Sequence, residues 1–210
     1  MNDKPRHIAI CGNIGSGKTT LAEMLSKHYG WTPLYESVEH NPYLRDFYED
    51  MAKWSFHLQI FFLNSRFRQV LQIRENIRTT VQDRTIYEDA YIFAANLHQS
   101  GFMNDRDYQS YFGIFESMIK FVKPPDLLIY LKADVPKLVE QIELRARDYE
   151  NAIRLDYLRN LNEHYERWIA NYSLGQLLII DVNQLDFVNQ SEDFADVLER
   201  IDLELNNMFE

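Results

Sequence analysis

Gly12-Asn13-Ile14-Gly15-Ser16-Gly17-Lys18-Thr19 fits the spacing G-x-x-x-x-G-K-[ST] and stands between an apolar run, His7 to Cys11, and a helical pattern carried by Leu21, Leu25 and Tyr29. A strand, a glycine-rich loop and a helix in that order leave few folds open. Such a loop converges backbone N–H groups on an anion, and the helix behind it adds its positive end. Lys18 can reach phosphate oxygens as a point charge, and the Thr19 hydroxyl suits Mg²⁺. The stretch 12 to 20, closed by Thr20, is therefore expected to hold the phosphates of a nucleotide such as ATP. A chance glycine-rich turn is the competing reading, and the strand and helix flanking the loop oppose it.

Four more apolar runs follow: Thr32 to Tyr35, Thr79 to Gln82, Leu127 to Leu131 and Leu177 to Ile180. Near-continuous apolar strands alternating with helical patterns predict an α/β fold, a five-stranded parallel sheet with helices on both faces. No Gly/Ser/Pro-rich linker divides the 210 residues, so 1–210 reads as a single domain, with Pro124-Pro125 closing a helix before the fourth strand. Trp54 to Arg78 reads as one long helix whose first half is apolar on more than one face. A second covering layer is needed, either the core of the same chain or a second subunit. From Asp193 to Asn206, the spacing of Phe194, Val197, Leu198, Ile201 and Leu205 predicts a helix with one buried stripe.

Charge narrows the partners. With 22 basic and 32 acidic side chains the net charge is −10, which repels a nucleic-acid backbone and leaves small anions to local devices. The densest apolar run, Ile60 to Leu63, is closed by Asn64, Arg66 and Arg68, so no membrane crossing is expected. One cysteine, Cys11, and a start without an apolar leader point to the cytoplasm and to no disulfide. The six histidines are scattered and support no zinc site. No Asp stands three residues before any of the seven glycines, and Leu131-Lys-Ala-Asp134 is the nearest approach to N-K-x-D, so a GTPase switch is excluded. No apolar strand ends in Asp-Glu, as a large ATPase motor would require. A small-molecule kinase remains.

Behind the loop stand YESVEHNPYL at 35 to 44, WSFHLQ at 54 to 59, DRTIYEDAYIFA at 83 to 94, LRARDYE at 144 to 150 and DVNQLDF at 181 to 187. In this order the motifs resemble the deoxynucleoside kinases of the deoxycytidine, deoxyguanosine and deoxyadenosine kinase type, with the bacterial deoxyadenosine kinases most similar. The resemblance implies a P-loop kinase fold with a short lid at about 141 to 151, a homodimer, and transfer of the γ-phosphate of ATP to the 5'-hydroxyl of a deoxynucleoside.

It also assigns roles. Glu36, at the carboxyl edge of the second strand, takes the proton of the 5'-hydroxyl, a role that an attacking alcohol requires on chemical grounds as well. Asp83 holds Mg²⁺ with Thr19, and Arg84 holds the acceptor oxygen or Glu36; a structural ion pair is the plainer reading. Gln59 pairs with the base through its amide, while Arg66 and Asp89 pair over the base and favour bases other than thymine. A helix-to-helix salt bridge is the alternative for that pair. Tyr48 and Glu150 bind the 3'-hydroxyl. Arg145 and Arg147 are the lid cations, with Gln141 and Ala146 departing from the family's Arg and Gly. Residues two apart on a helix point to opposite sides, so both arginines reach one phosphate only if the helix ends or bends there. Asp186 and Phe187 lie in the loop against the donor base. A nucleoside monophosphate kinase of the thymidylate kinase type would want more arginines after Glu36 than Arg45 alone. A regulatory nucleotide-binding protein would not need Lys18, Glu36, Asp83, Arg84, Arg145 and Arg147 together.

Overall fold

A computed structural model describes residues 6–36, 41–145 and 153–207. Its sheet has five parallel strands in the order β2-β3-β1-β4-β5: β1 His7–Cys11, β2 Thr32–Leu34, β3 Thr80–Asp83, β4 Leu127–Lys132 and β5 Gln176–Asp181. The expected α/β sheet is present, with every pairing parallel. The centre is β1, where Ile8, Ala9, Ile10 and Cys11 are wholly buried, each large aliphatic side chain contributing about 1.5–3 kcal/mol by leaving water. Coverage of both faces weakens at the rim, because β5 is an edge strand that leaves Ile179 exposed.

One core layer packs α1 (Lys18–Tyr29) and α9 (Ser191–Asn207) against the sheet, with Leu21, Leu25, Val197 and Ile201 all buried. On the other face stand α2 (Leu44–Glu49), α3 (Met51–Glu75) and α8 (Leu155–Ala170). The segment from Ile86 to Gln99 turns continuously as α4 (Ile86–Glu88), a π-helical stretch (Asp89–Ala94) and α5 (Ala95–Gln99). Beyond it lie α6 (Asp105–Ile119) and α7 (Val135–Arg145).

The long helix starts earlier than the apolar pattern suggested, because the Asp50 carboxylate caps it by accepting the Lys53 N–H. It also ends earlier, at Glu75, where Asn76 turns extended. Both apolar faces meet other elements of the chain, one of them only in part, since Phe56, Ile60 and Phe67 stay half-buried. Met51 and Leu58 join the core layer that includes α8, while Leu63, Phe56, Ile60 and Phe67 join a third cluster with Tyr111 and Phe115 of α6. The core of the same chain covers Met51, Leu58 and Leu63, and Phe56, Ile60 and Phe67 keep part of their surface open. Pro124-Pro125 does not stop a helix either: α6 ends at Ile119, and the prolines lie in the connector beyond. Among the described residues no helix is long and apolar enough to cross a membrane.

Candidate active site

The loop after β1 is fitted to its surroundings by its glycines. Gly15 has φ +87°, and a Cβ there would stand 2.7 Å from the Leu138 carbonyl oxygen, so α7 lies directly on the loop. A Cβ on Gly12 would stand 2.8 Å from the Leu131 carbonyl oxygen. Asn13 ties the loop to α8, its amide donating to the Leu158 carbonyl at 3.0 Å and to Asn162 Oδ1 at 2.5 Å, while its own oxygen accepts the Ile14 N–H. Ser16 is buried with its hydroxyl unpaired among the described residues, and Gly17 is half-buried. Thr19 and Thr20 stand exposed in the first turn of α1.

Lys18 is buried and folds back, Nζ donating to the Asn13 carbonyl at 2.8 Å. Burial first, and then the nearby Arg84 charge, pull its ammonium down to about 8. Thr19 Oγ1 donates to Asp83 Oδ2 at 2.5 Å. The other Asp83 oxygen, Oδ1, is buried with no hydrogen-bond partner among the described residues. An unmet carboxylate oxygen beside a threonine hydroxyl is a donor set suited to a hard divalent cation such as Mg²⁺.

Glu36 lies two residues past the end of β2 rather than at its last position. Its Oε1 meets Arg84 Nε at 3.0 Å and accepts from Arg66 Nη2 at 3.1 Å. The Arg84 contact is an ion pair without hydrogen-bond alignment, since Nε counts among the unpaired buried atoms. Arg84 follows β3 with φ 72°, a left-handed conformation costing about 1–2 kcal/mol, and its guanidinium lies 4.2 Å over the Phe93 ring. That turn carries the chain from strand to helix with Asp83 and Arg84 both at the carboxyl edge of the sheet.

One cavity of about 760 Å³ is lined by Lys18, Thr19, Glu36 and Arg145 together with Tyr48, Gln59 and Asp89, and by apolar side chains such as Leu58 and Phe93. Gln59 is 2% exposed and its Oε1 has no partner among the described residues. Asp89 opens the π-helical stretch, a wider turn of the kind often found at functional sites. Burial pushes its carboxyl above the ordinary carboxylate range, with Arg66 opposing. Arg66 pairs with Asp89 as expected, Nε to Oδ2 at 3.3 Å, but it does not wall the cavity. Its Nη1 donates to the Asp83 carbonyl at 2.8 Å and to Gln69 at 3.2 Å, and its Nη2 to Glu36, so it stands behind both carboxylates rather than over the base.

The Phe187 ring is buried in the core, and a Cβ on Gly17 would stand 3.1 Å from it, so the side chain packs against the phosphate loop. Asp186 is exposed and accepts from the Asn189 N–H and amide in its own turn. Arg145 is the last described residue of α7. Arg147, Glu150 and Ala146 lie outside the described residues.

Sequence reasoning missed two buried polar residues. Glu88 is wholly buried: its Oε1 accepts the Tyr165 hydroxyl at 2.8 Å and the Gly12 N–H at 3.4 Å, and its Oε2 accepts the Thr85 N–H at 2.7 Å. Burial raises its carboxyl above the ordinary value, with Arg84 opposing. Thr85-x-x-Glu88 is a capping box and was legible as one, though not its reach to the loop. Gln69 holds Arg66, and nothing in its sequence neighbourhood signals that.

The sequence profile described as "Deoxynucleoside kinase" matches residues 8–206. A deoxyadenosine kinase of Dictyostelium discoideum is 45% identical over 186 residues, 89% of this chain and 75% of that protein. A deoxyadenosine/deoxycytidine kinase of Bacillus subtilis (strain 168) is 37% identical over 196 residues, 92% of this chain and 90% of the relative. The solved structure of deoxyadenosine kinase from M. mycoides with bound dATP superposes with a TM-score of 0.82 at 27% identity, covering 94% of this chain and 99% of that one.

Proposed function

This chain belongs to the deoxynucleoside kinase family, and we propose that within it deoxyadenosine is the preferred acceptor, with ATP as donor, Mg²⁺ as cofactor, and dAMP and ADP as products. The observation that carries this reading is that Asp89 and Gln59, whose Oε1 has no partner among the described residues, both line the cavity, two acceptors that suit an exocyclic amino group. Thymine has none there. The similarity to deoxyadenosine kinases supports adenine over guanine and cytosine. Tyr48, which also lines the cavity, would bind the sugar together with Glu150.

In this reading the 5'-hydroxyl oxygen forms its bond to the γ-phosphorus as the bond from phosphorus to the β-phosphate bridging oxygen breaks, and ADP leaves. Glu36 receives the hydroxyl proton, oriented by Arg84. Lys18 leaves the Asn13 carbonyl for the phosphates, which the loop amides of residues 12–20 also hold. Arg145 and Arg147 bring positive charge from a lid at about 141–151. Thr19 and Asp83 would hold the metal, which supplies charge neutralisation at the β- and γ-oxygens. The phosphate loop, lid and nucleoside end form one domain over 1–210, in a homodimer and in the cytoplasm.

A monophosphate kinase reading is not favoured: Arg45, the arginine nearest after Glu36, is 86% exposed in its side chain and pairs outward with Glu49. The test is kcat/KM for the four deoxynucleosides, adenosine and dAMP with ATP. Deoxyadenosine is expected first and thymidine last; thymidine first, or dAMP outrunning every nucleoside, would overturn the reading.

A further inference from the structure

Gln69 stands three residues after Arg66 on α3, one turn along the same face, 8% exposed and outside the cavity wall. Its Oε1 accepts from Arg66 Nη1 at 3.2 Å and from Gln82 Nε2 at 2.9 Å. Its Nε2 donates to the Tyr35 carbonyl at 2.6 Å. The Gln82 oxygen in turn meets His7 Nε2 at 2.8 Å. These partners admit one orientation of the Gln69 amide, because a flip would set its NH₂ against two donors and its oxygen against a carbonyl.

We propose that Gln69 is a positioning residue for the reaction, which holds the Arg66 guanidinium between Asp89 and Glu36 and also fixes the backbone from which Glu36 projects. Both connections are direct: Arg66 donates to both carboxylates, and Tyr35 immediately precedes Glu36. One amide thus links the group that reads the base to the group that takes the proton. Rigid side-chain neighbours make this link matter, since a displacement on the order of 1 Å at a reacting group costs about 10²-fold in rate. The inference rests on Glu36 as the base and on Asp89 as the base reader.

The test compares Gln69→Met, which keeps length and removes both polar functions, with Gln69→Glu, which keeps the acceptor toward Arg66 and Gln82 but loses the donor to Tyr35. In Gln69→Met, kcat with deoxyadenosine should fall by roughly 10- to 100-fold, the KM for ATP should stay near wild type, and the preference for deoxyadenosine over thymidine should shrink. Gln69→Glu should lose kcat yet keep that preference. If Gln69→Met is unstable, Gln69→Met/Gln82→Leu removes donor and acceptor together and carries the same expectation. Unchanged kcat and unchanged preference in a folded Gln69 variant would overturn the proposal, as would a KM for ATP that rises in step with the loss of kcat. Glu36→Gln, measured in parallel, separates the two readings. If it retains kcat, the base assignment itself has failed; if it loses kcat while the Gln69 variants do not, only the positioning role has.

Discussion

Two side chains carry the sharpest consequences at the residue scale. Burial, and after it the nearby Arg84 charge, pull the Lys18 ammonium down to about 8, so above that pH the free protein holds it partly neutral. Phosphate oxygens favour the charged form. Binding of ATP at about pH 8.5 should therefore take up protons, seen as a binding enthalpy that varies with the ionisation heat of the buffer. Lys18→Ala should abolish the uptake and the transfer while remaining folded; an enthalpy independent of buffer in wild type would refute the shift. Glu36 meets Arg84 and Arg66 together, so Glu36→Gln keeps shape while removing the proton acceptor. It should lower kcat by about 10²- to 10⁴-fold with little change in KM. A variant that raised KM alone would make Glu36 a binding group.

At the scale of elements, the phosphate loop is built from what presses on it. Above Gly15 lies the Leu138 carbonyl of α7, behind Gly17 the Phe187 ring, and at Gly12 the Glu88 carboxylate reached from α4. Gly15→Ala must adopt a positive φ and displace α7, the helix that ends at Arg145. It should cost about 1–3 kcal/mol in stability and raise the KM for ATP, while the KM for deoxyadenosine changes little. Thermal unfolding and initial rates check this, and a Gly15→Ala enzyme with wild-type values for both would contradict the packing. The π-helical stretch acts at the same scale, setting Asp89 against Arg66.

Association belongs to the scale of the whole molecule. The long helix first suggested a partner, and α6 covers that face only in part, leaving Phe56, Ile60 and Phe67 half-buried. The homodimer now rests on family resemblance, and apolar surface remains beyond it: Ile114 on the outer side of α6 is 40% exposed, and Phe121 past its end is 63% exposed. Light scattering at micromolar concentration should give twice the chain mass, and Phe121→Ser with Ile114→Lys should shift it toward one. A monomer in wild type would remove the dimer.

The sequence by itself determined the strand, loop and helix around Lys18 and the five parallel strands, because each follows from local spacing, whereas the pairing of Arg66 with Asp89 was implied by the family resemblance. It did not locate the end of α3, since the Asp50 cap and the extended Asn76 act through single hydrogen bonds that hydrophobic periodicity does not register. Nor did it place the Phe187 ring in the core against Gly17. Only the tertiary structure decided that Arg66 stands behind both carboxylates, that Glu88 reaches the phosphate loop and that Gln69 bonds Arg66. Those residues meet partners as many as 77 positions away, and a buried polar group declares its role only through the donor or acceptor that burial obliges it to find.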